Sequence, residues 1–255
     1  PREIEQARAE AEAGHLDAVV VGGGDGTIST AAGLLAGGNV PLGVLPLGTL
    51  NHFAKDLGLP QDLDGAIGVI AAGDTRAVDV AEVNGHVFVN NSSIGLYADM
   101  VAERERQQDD TGRSKWAALA IASLRVLRRF PLRRMSICAE GWTRPCKTPF
   151  VFIGNNAYDL SLFNAGRREA LDRGELCLYV LDHRSPAGLV SLVVRALLGR
   201  LDQERDFEML SVKEVEIRSK AGRLRVSMDG EVTSLRPPLH YRTRPKALRV
   251  FAAGV

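Results

Sequence analysis

The sequence predicts an α/β domain built on a parallel sheet over residues 1–77 and a β-sandwich second domain over residues 78–245, with 246–255 a candidate to return to the first. Three observations carry that prediction. A short β-branched run, Ala18 to Val21, leads directly into Gly22, Gly23 and Gly24 and then into a small-residue helix pattern. Strand and helix patterns alternate as far as residue 72, as parallel βα units do. From Val78 the texture changes to short segments of alternating apolar and polar residues between turn signals, the pattern of a sandwich.

Taken in order, residues 2–14 read as a helix, with Pro1 suited to its first position and Gly14 to its C-cap. The strand and glycine loop follow. Residues 28–37 read as a helix closed by Gly37 and Gly38, and Val40 to Leu45 as a second short strand. PLGTLNHFAKDLGLP (46–60) is a turn that enters a helix, and Asp62 to Ala72 is another helix. The second domain is expected to use VDVAEV, HVFVNNSS, RRMSICA, PFVFIGN, ELCLYVL, EVEIRS, LRVSMDG and LHYRT as strands. Two helices interrupt it near 112–130 and 185–199, the latter opened by Ser185 and Pro186. Only two strands precede the change of texture, fewer than a doubly wound sheet normally has. Either later strands complete that sheet or the chain starts inside its first domain.

Composition narrows the function classes. A chain of 255 residues that is 45% apolar can bury a substantial core. A net charge of +1 supplies no field for a polyanion, so no nucleic-acid partner is expected. Cys138, Cys146 and Cys177 are odd in number and lack CxxC spacing, which argues against zinc and a disulfide framework and for a reducing cytoplasm. The charged start PREIEQARAEAEAG is not a signal peptide. The most apolar stretches, 117–122 and 187–194, fall far short of the ~20 residues of a membrane span, so any membrane contact is expected to be peripheral.

The chemistry concentrates at the loop GGGDGT (22–27). Backbone N–H groups at such a turn converge on an anionic phosphate, and the positive end of the following helix dipole points the same way. The loop is not a Walker A, because Gly26 is followed by Thr27 and Ile28 rather than Lys and Ser/Thr. It is not the dinucleotide fingerprint either, because the sixth position from Gly22 is Thr27. A glycine-rich corner that only packs a helix on a sheet would read the same way.

Four separated segments resemble the diacylglycerol kinase catalytic-domain family, in particular bacterial soluble lipid kinases related to sphingosine and ceramide kinases. GGGDGTIST (22–30) is similar to the family's GGDGT loop, which NAD kinases share, and PLGTLNHFAKDLGLP (46–60) to its PxGTxNDxAR segment. FVNNSSIGLYADMV (88–101) is similar to the signature opening the second domain, and SMDGEV (227–232) to the DGE motif. The resemblance implies an ATP- and Mg²⁺-dependent kinase for a lipid hydroxyl. Its fold would be an α/β nucleotide-binding domain and a β-sandwich, with nucleotide and lipid headgroup between them. It also implies a further N-terminal strand and phosphate contact that have no counterpart here.

Phosphoryl transfer needs positioned phosphates, charge neutralisation and a base near the attacking hydroxyl. Gly23, Gly24, Gly26 and Thr27 are the candidate phosphate cradle. Asp25 lies within it, where a carboxylate is favourable only if it holds a metal or meets a proton; the alternative is an Asx-turn brace. Thr49 matches a family nucleotide contact and could equally cap a helix. Asn51 could brace its loop, and His52 stands where the family often has Asp. Asp229 and Glu231 flank Gly230. The resemblance makes Glu231 the general base and Asp229, with Asp25, a metal ligand, while Asp-Gly is also the strongest hairpin signal. Asp99 matches a substrate-contacting acid of sphingosine kinases, or is a solvated turn residue.

Two departures from the family pattern matter. Arg173 in REALDRGEL (168–176) replaces an aspartate that would hold an accessory Mg²⁺, so that site is expected to be lost or its charge supplied by the arginine. Ser29 and Thr30 replace an Asn-Glu pair, which is expected to weaken nucleotide binding. Residues 115–134 place Arg125, Arg128 and Arg129 on one helical face beside apolar residues. This is either a basic amphipathic helix for anionic headgroups or an ordinary half-buried helix. The rival functions are another small-molecule kinase on the same loop, such as an NAD kinase relative, and a nucleotide-sensing or lipid-binding module without catalysis.

Overall fold

The computed structural model describes residues 6, 7, 9, 10, 13–95, 132–159, 167, 168, 170–181 and 207–253. Asp99, the two helices expected at 112–130 and 185–199, and the basic face of residues 115–134 lie outside the described residues, apart from the end of the last, which enters a strand at Arg133.

The first lobe begins with β1 (Val19–Gly23), whose β-branched residues suit an extended chain. It pairs in parallel with β2 (Leu42–Pro46), in a register that sets Val19 opposite Leu42 and Gly23 opposite Pro46. The loops that follow the two strands therefore leave the same sheet edge side by side. Between them runs α1 (Asp25–Leu35), which buries Ile28, Ala31, Ala32 and Leu35, one stripe at helical spacing. It starts three residues earlier than the sequence suggests, because Asp25 and Gly26 already belong to its first turn. The short α2 (His52–Asp56) and α3 (Leu63–Ala72) complete the lobe. Asp62 caps α3 by accepting the Gly65 N–H at 2.8 Å, and Gly73 ends it at φ +80°.

The second lobe packs two sheets face to face. One is six-stranded and antiparallel: β12 (Phe207–Val212), β11 (Leu176–Leu181), β8 (Phe150–Asn155), β5 (Asn91–Gly95), β14 (Leu224–Met228) and β15 (Glu231–Leu235), in that spatial order. The other contains β3 (Thr75–Val83), β4 (His86–Phe88), β6 (Arg133–Ala139), β7 (Trp142–Thr148), β13 (Glu214–Ser219) and β16 (Leu239–Phe251), and it is continuous with β1 and β2. Inward residues of both, among them Ile94, Ile153, Leu178, Ile217, Val226 and Tyr241, are buried in one core. A minor ladder pairs β9 (Tyr158–Asp159) with β10 (Arg167–Arg168).

The sheet of the first lobe is thus mixed. Its parallel strands are β1, β2 and the far end of β16, where Val250 pairs with Leu42. The segments read as LHYRT and KALRVFAAG are one strand, bent by an irregularity between Arg244 and Leu248. Antiparallel to it along its length lies β3. Their near ends, Ala81, Val83, Leu239 and Tyr241, sit in the sandwich core, while Val78, Val80, Leu248 and Val250 sit in the α/β core. Pro245 reads as a break in the sequence because it cannot donate to a ladder. Here it marks the bend instead.

Asp79 makes that bend possible. Its side chain is buried and accepts the N–H of Lys246 at 2.7 Å and of Gly174 at 2.6 Å, while its own N–H donates to Leu171 O at 2.7 Å. Lys246 is held in the left-handed region at φ +53°. Replacing Asp79→Ala leaves two backbone donors without partners and is expected to cost about 2–4 kcal/mol, read as a lower urea midpoint.

Candidate active site

Close backbone approach builds the glycine corner. A Cβ on Gly48, in the loop after β2, would stand 2.4 Å from Gly24 Cα in the loop after β1. Only a residue without a side chain lets the two loops meet. The second loop is held from within. Asn51 sits in the left-handed region at φ +51° as the N-cap of α2, and its Nδ2 donates to Pro46 O at 3.0 Å. Asn51 is therefore the brace the sequence suggests. It also occupies the capping position, so Thr49, exposed two residues earlier, does not cap α2. His52 opens α2.

On the first loop, Gly24 is the N-cap of α1 and no side chain caps that helix. The first-turn N–H groups of Asp25, Gly26 and Thr27 accordingly retain their positive field. Asp25 accepts the Phe53 N–H on Oδ1 at 3.3 Å, which joins the two loops again. Thr30 turns its hydroxyl back onto Gly26 O at 2.9 Å.

The DGE segment comes to this corner from the second lobe. Asp229 and Gly230 form the two-residue turn between β14 and β15, with φ +47° and +88°, and Met228 pairs with Glu231 across it. Two positive φ values fit the primed hairpin turn that Asp-Gly favours. The hairpin reading of this motif is thus realised, and the turn sets the direction of Glu231. A Cβ on Gly26 would lie 2.6 Å from Glu231 Oε1. The carboxylate of the second lobe rests against the first turn of α1.

Asp229 fastens the arrangement. Its Oδ2 accepts the Val89 N–H at 2.8 Å and the Ser29 hydroxyl, and its Oδ1 accepts the N–H groups of Asn90 at 2.8 Å and Asn91 at 3.0 Å. Burial pushes the Asp229 carboxyl up from its ordinary range, against the pull of Ser29 and the three backbone donors, which favour the charged form. Four donors fill the roughly four lone-pair sites of a carboxylate. Assigning Asp229 as a metal ligand therefore gives way to a clasp. Ser29, a departure from the family pattern, becomes the first lobe's half of that clasp.

The segment whose accessory metal site is expected to be lost is tied by protein groups. Arg173 is exposed, its N–H donating to Asn156 Oδ1 at 3.2 Å, and the next N–H, of Gly174, is the one bound by Asp79. Among the described residues no group of three or more His, Cys, Asp or Glu is placed to hold a metal ion.

Sequence reasoning missed the buried polar network behind the corner. Arg168 and Asp56 form an ion pair at 2.8 Å with side chains 0% and 2% exposed. Asn155 donates from Nδ2 to both Asp79 O and Val89 O at 2.9 Å. No spacing in the sequence links these positions, which come from three distant segments.

Comparison with known proteins places the chain. Residues 1–83 match the model of the diacylglycerol kinase catalytic domain, and residues 93–252 that of the YegS C-terminal NAD kinase beta sandwich-like domain. An uncharacterized protein of Synechocystis sp. is 25% identical over 258 residues, covering 98% of this chain and 58% of that protein. Lipid kinase YegS of Escherichia coli K12 is 44% identical over 90 residues, covering 33% of this chain and 30% of that protein. The chain thus spans under two thirds of the length of these curated relatives. The fold matches that of a diacylglycerol kinase from Bacillus anthracis (TM-score 0.69, 20% identity, 98% of this chain and 80% of that one). It matches yeast NADH kinase less closely (TM-score 0.53, 14% identity, 94% and 62%). Matched in both of its parts, the chain belongs to the diacylglycerol kinase catalytic-domain family, in the branch whose second domain is the YegS-type β-sandwich.

Proposed function

We propose that the protein is an ATP- and Mg²⁺-dependent lipid kinase that phosphorylates a hydroxyl of a diacylglycerol-like or long-chain-base lipid. The observation that carries this reading is the meeting of Glu231 with Gly26. A carboxylate from one lobe stands over an uncapped helix N-terminus in the other, the relation a base needs to an acceptor hydroxyl approaching a bound phosphate. Family membership supports the reaction class, and the exclusion of a strong net charge leaves a small or lipid acceptor rather than nucleic acid.

The residues present suit the nucleotide and the metal. A Cβ on Gly24 would meet only Gly48 Cα, at 3.7 Å, so the outer side of that corner is open to a ligand. Asn51 Oδ1 is buried beside the same corner without a hydrogen-bond partner. In this reading Gly23, Gly24, Gly26 and Thr27 receive the phosphates, and Thr49 reaches the nucleotide from the neighbouring loop. Asp25, with one long hydrogen bond, is the side chain available for Mg²⁺, which would neutralise phosphate charge. A single carboxylate suffices, because Mg²⁺ is commonly held by one or two carboxylates together with substrate phosphates. Glu231 takes the proton of the acceptor hydroxyl. Asp99 remains a candidate headgroup contact, and the protein acts at the cytoplasmic face of a membrane by peripheral contact. Among the described residues no helix is long and apolar enough to cross a membrane.

Labelled ATP offered with extracted membrane lipids and with NAD tests the reading. Label on a lipid supports it; label on NAD alone, or nucleotide binding without transfer to either, overturns it. Replacing Asp25→Asn or Glu231→Gln is expected to lower kcat by about 10²-fold or more while the thermal midpoint holds. The Gly26→Ala variant is expected to unfold no earlier than the wild type, since alanine favours the helix by up to ~1 kcal/mol. Its methyl group displaces the Glu231 carboxylate, and turnover is expected to fall about tenfold or more in the same assay.

A further inference from the structure

Arg168 is an enclosed charge that the proposed chemistry leaves unused. Its residue is 4% exposed, and the guanidinium makes four hydrogen bonds. Nε donates to Asp56 Oδ2 at 2.8 Å, Nη1 to Val89 O at 2.7 Å and to Asn155 O at 3.0 Å, and Nη2 to Asn90 Oδ1 at 3.0 Å. The Arg168 N–H also donates to Asp56 Oδ1 at 3.3 Å, and the guanidinium lies 5.4 Å from the centre of the Tyr158 ring.

Enclosing an ion pair is not by itself a route to stability. The desolvation cost of two charges offsets their attraction, and apolar residues of similar volume often serve as well. What a guanidinium adds is a rigid fork with fixed donor directions. The fork here joins the two halves of the site. Asp56 closes α2, whose other end is Asn51 on the loop that packs against Gly24. Val89 and Asn90 lie in the turn whose N–H groups hold Asp229, two residues before Glu231. Asn90 stands between the two charges: its side-chain oxygen accepts from Arg168 and its N–H donates to Asp229.

We propose that Arg168 is a positioning residue that, through Asp56 on one side and the Val89–Asn90 turn on the other, fixes the Asp229 hairpin and so the place of Glu231 over Gly26. It touches neither phosphate nor acceptor. Its loss therefore changes turnover and leaves nucleotide affinity alone. The kinetic consequence rests on the kinase reading; the structural consequence does not.

Three variants test it: Arg168→Lys, which keeps the charge without the fork, Arg168→Met, and Arg168→Met combined with Asp56→Leu. Amide exchange is followed at Val89, Asn90 and Asn91, with Ile217 in the sandwich core as reference. Binding of a non-hydrolysable ATP analogue, kcat on extracted lipids and thermal midpoint are measured in parallel. Arg168→Lys is expected to exchange the three amides about tenfold faster while Ile217 is unchanged. Its kcat is expected to fall up to about 10²-fold, with analogue affinity held. The double variant is expected to regain the thermal midpoint lost in Arg168→Met, but neither the amide protection nor kcat. Unchanged exchange at the three amides in Arg168→Lys overturns the proposal, as does a double variant that recovers kcat along with its midpoint. Should no lipid accept phosphate from the wild type, the exchange measurements alone decide the positioning role.

Discussion

The Asp229 carboxylate clasps the two lobes together at the glycine corner. Asp229 gathers three consecutive backbone N–H groups, of Val89, Asn90 and Asn91, and the hydroxyl of Ser29 from the other lobe. Hydrogen bonds to a charged acceptor are the strong class, each worth about 1.5–3 kcal/mol, and they are directional. An amide in the same place would turn an NH₂ group toward one pair of donors. The turn that carries Asp229 has only two residues, so fixing that carboxylate also fixes the first residue of β15. Everything said of Glu231 depends on this constraint.

The architecture was readable wherever local pattern and tertiary role coincide. The α/β start, the helix that begins at Asp62 and most sandwich strands follow from periodicity and turn chemistry. Strands β7, β12 and β15 are not among the segments expected from the sequence, and the physical reasons differ. EVTSL follows a turn so short that it reads as the tail of its hairpin, while WTRPCKT is largely exposed and carries no apolar alternation. The joining of LHYRT to KALRVFAAG was hidden by Pro245 and Lys246. A strand ordinarily stops at such a pair, and only the buried Asp79, remote in sequence, supplies the partner that carries it through.

The site shows the same division. The glycine loop, Asp25 and Glu231, which the fold brings to one corner, could be singled out because they stand in contiguous motifs. The role of Asp229 could not, since a carboxylate that holds a cation and one that collects N–H groups have the same letter. Its donors at 89–91 and Ser29 become visible only when two segments about 140 and 200 positions away close on it. Arg168 and Asp56 lie further still from any readable signal. Buried ion pairs form between residues that the fold, not the sequence order, makes neighbours.

The paired strands β3 and β16 pass through both cores without interruption of their ladder, apart from one bend. Kinases of many folds admit substrate by swinging rigid bodies about a flexible connection. Two hydrogen-bonded strands common to both bodies are stiff against such a swing. The relation of Glu231 to the first turn of α1 is therefore set when the chain folds, and any ligand that reaches that corner meets a frame already in place.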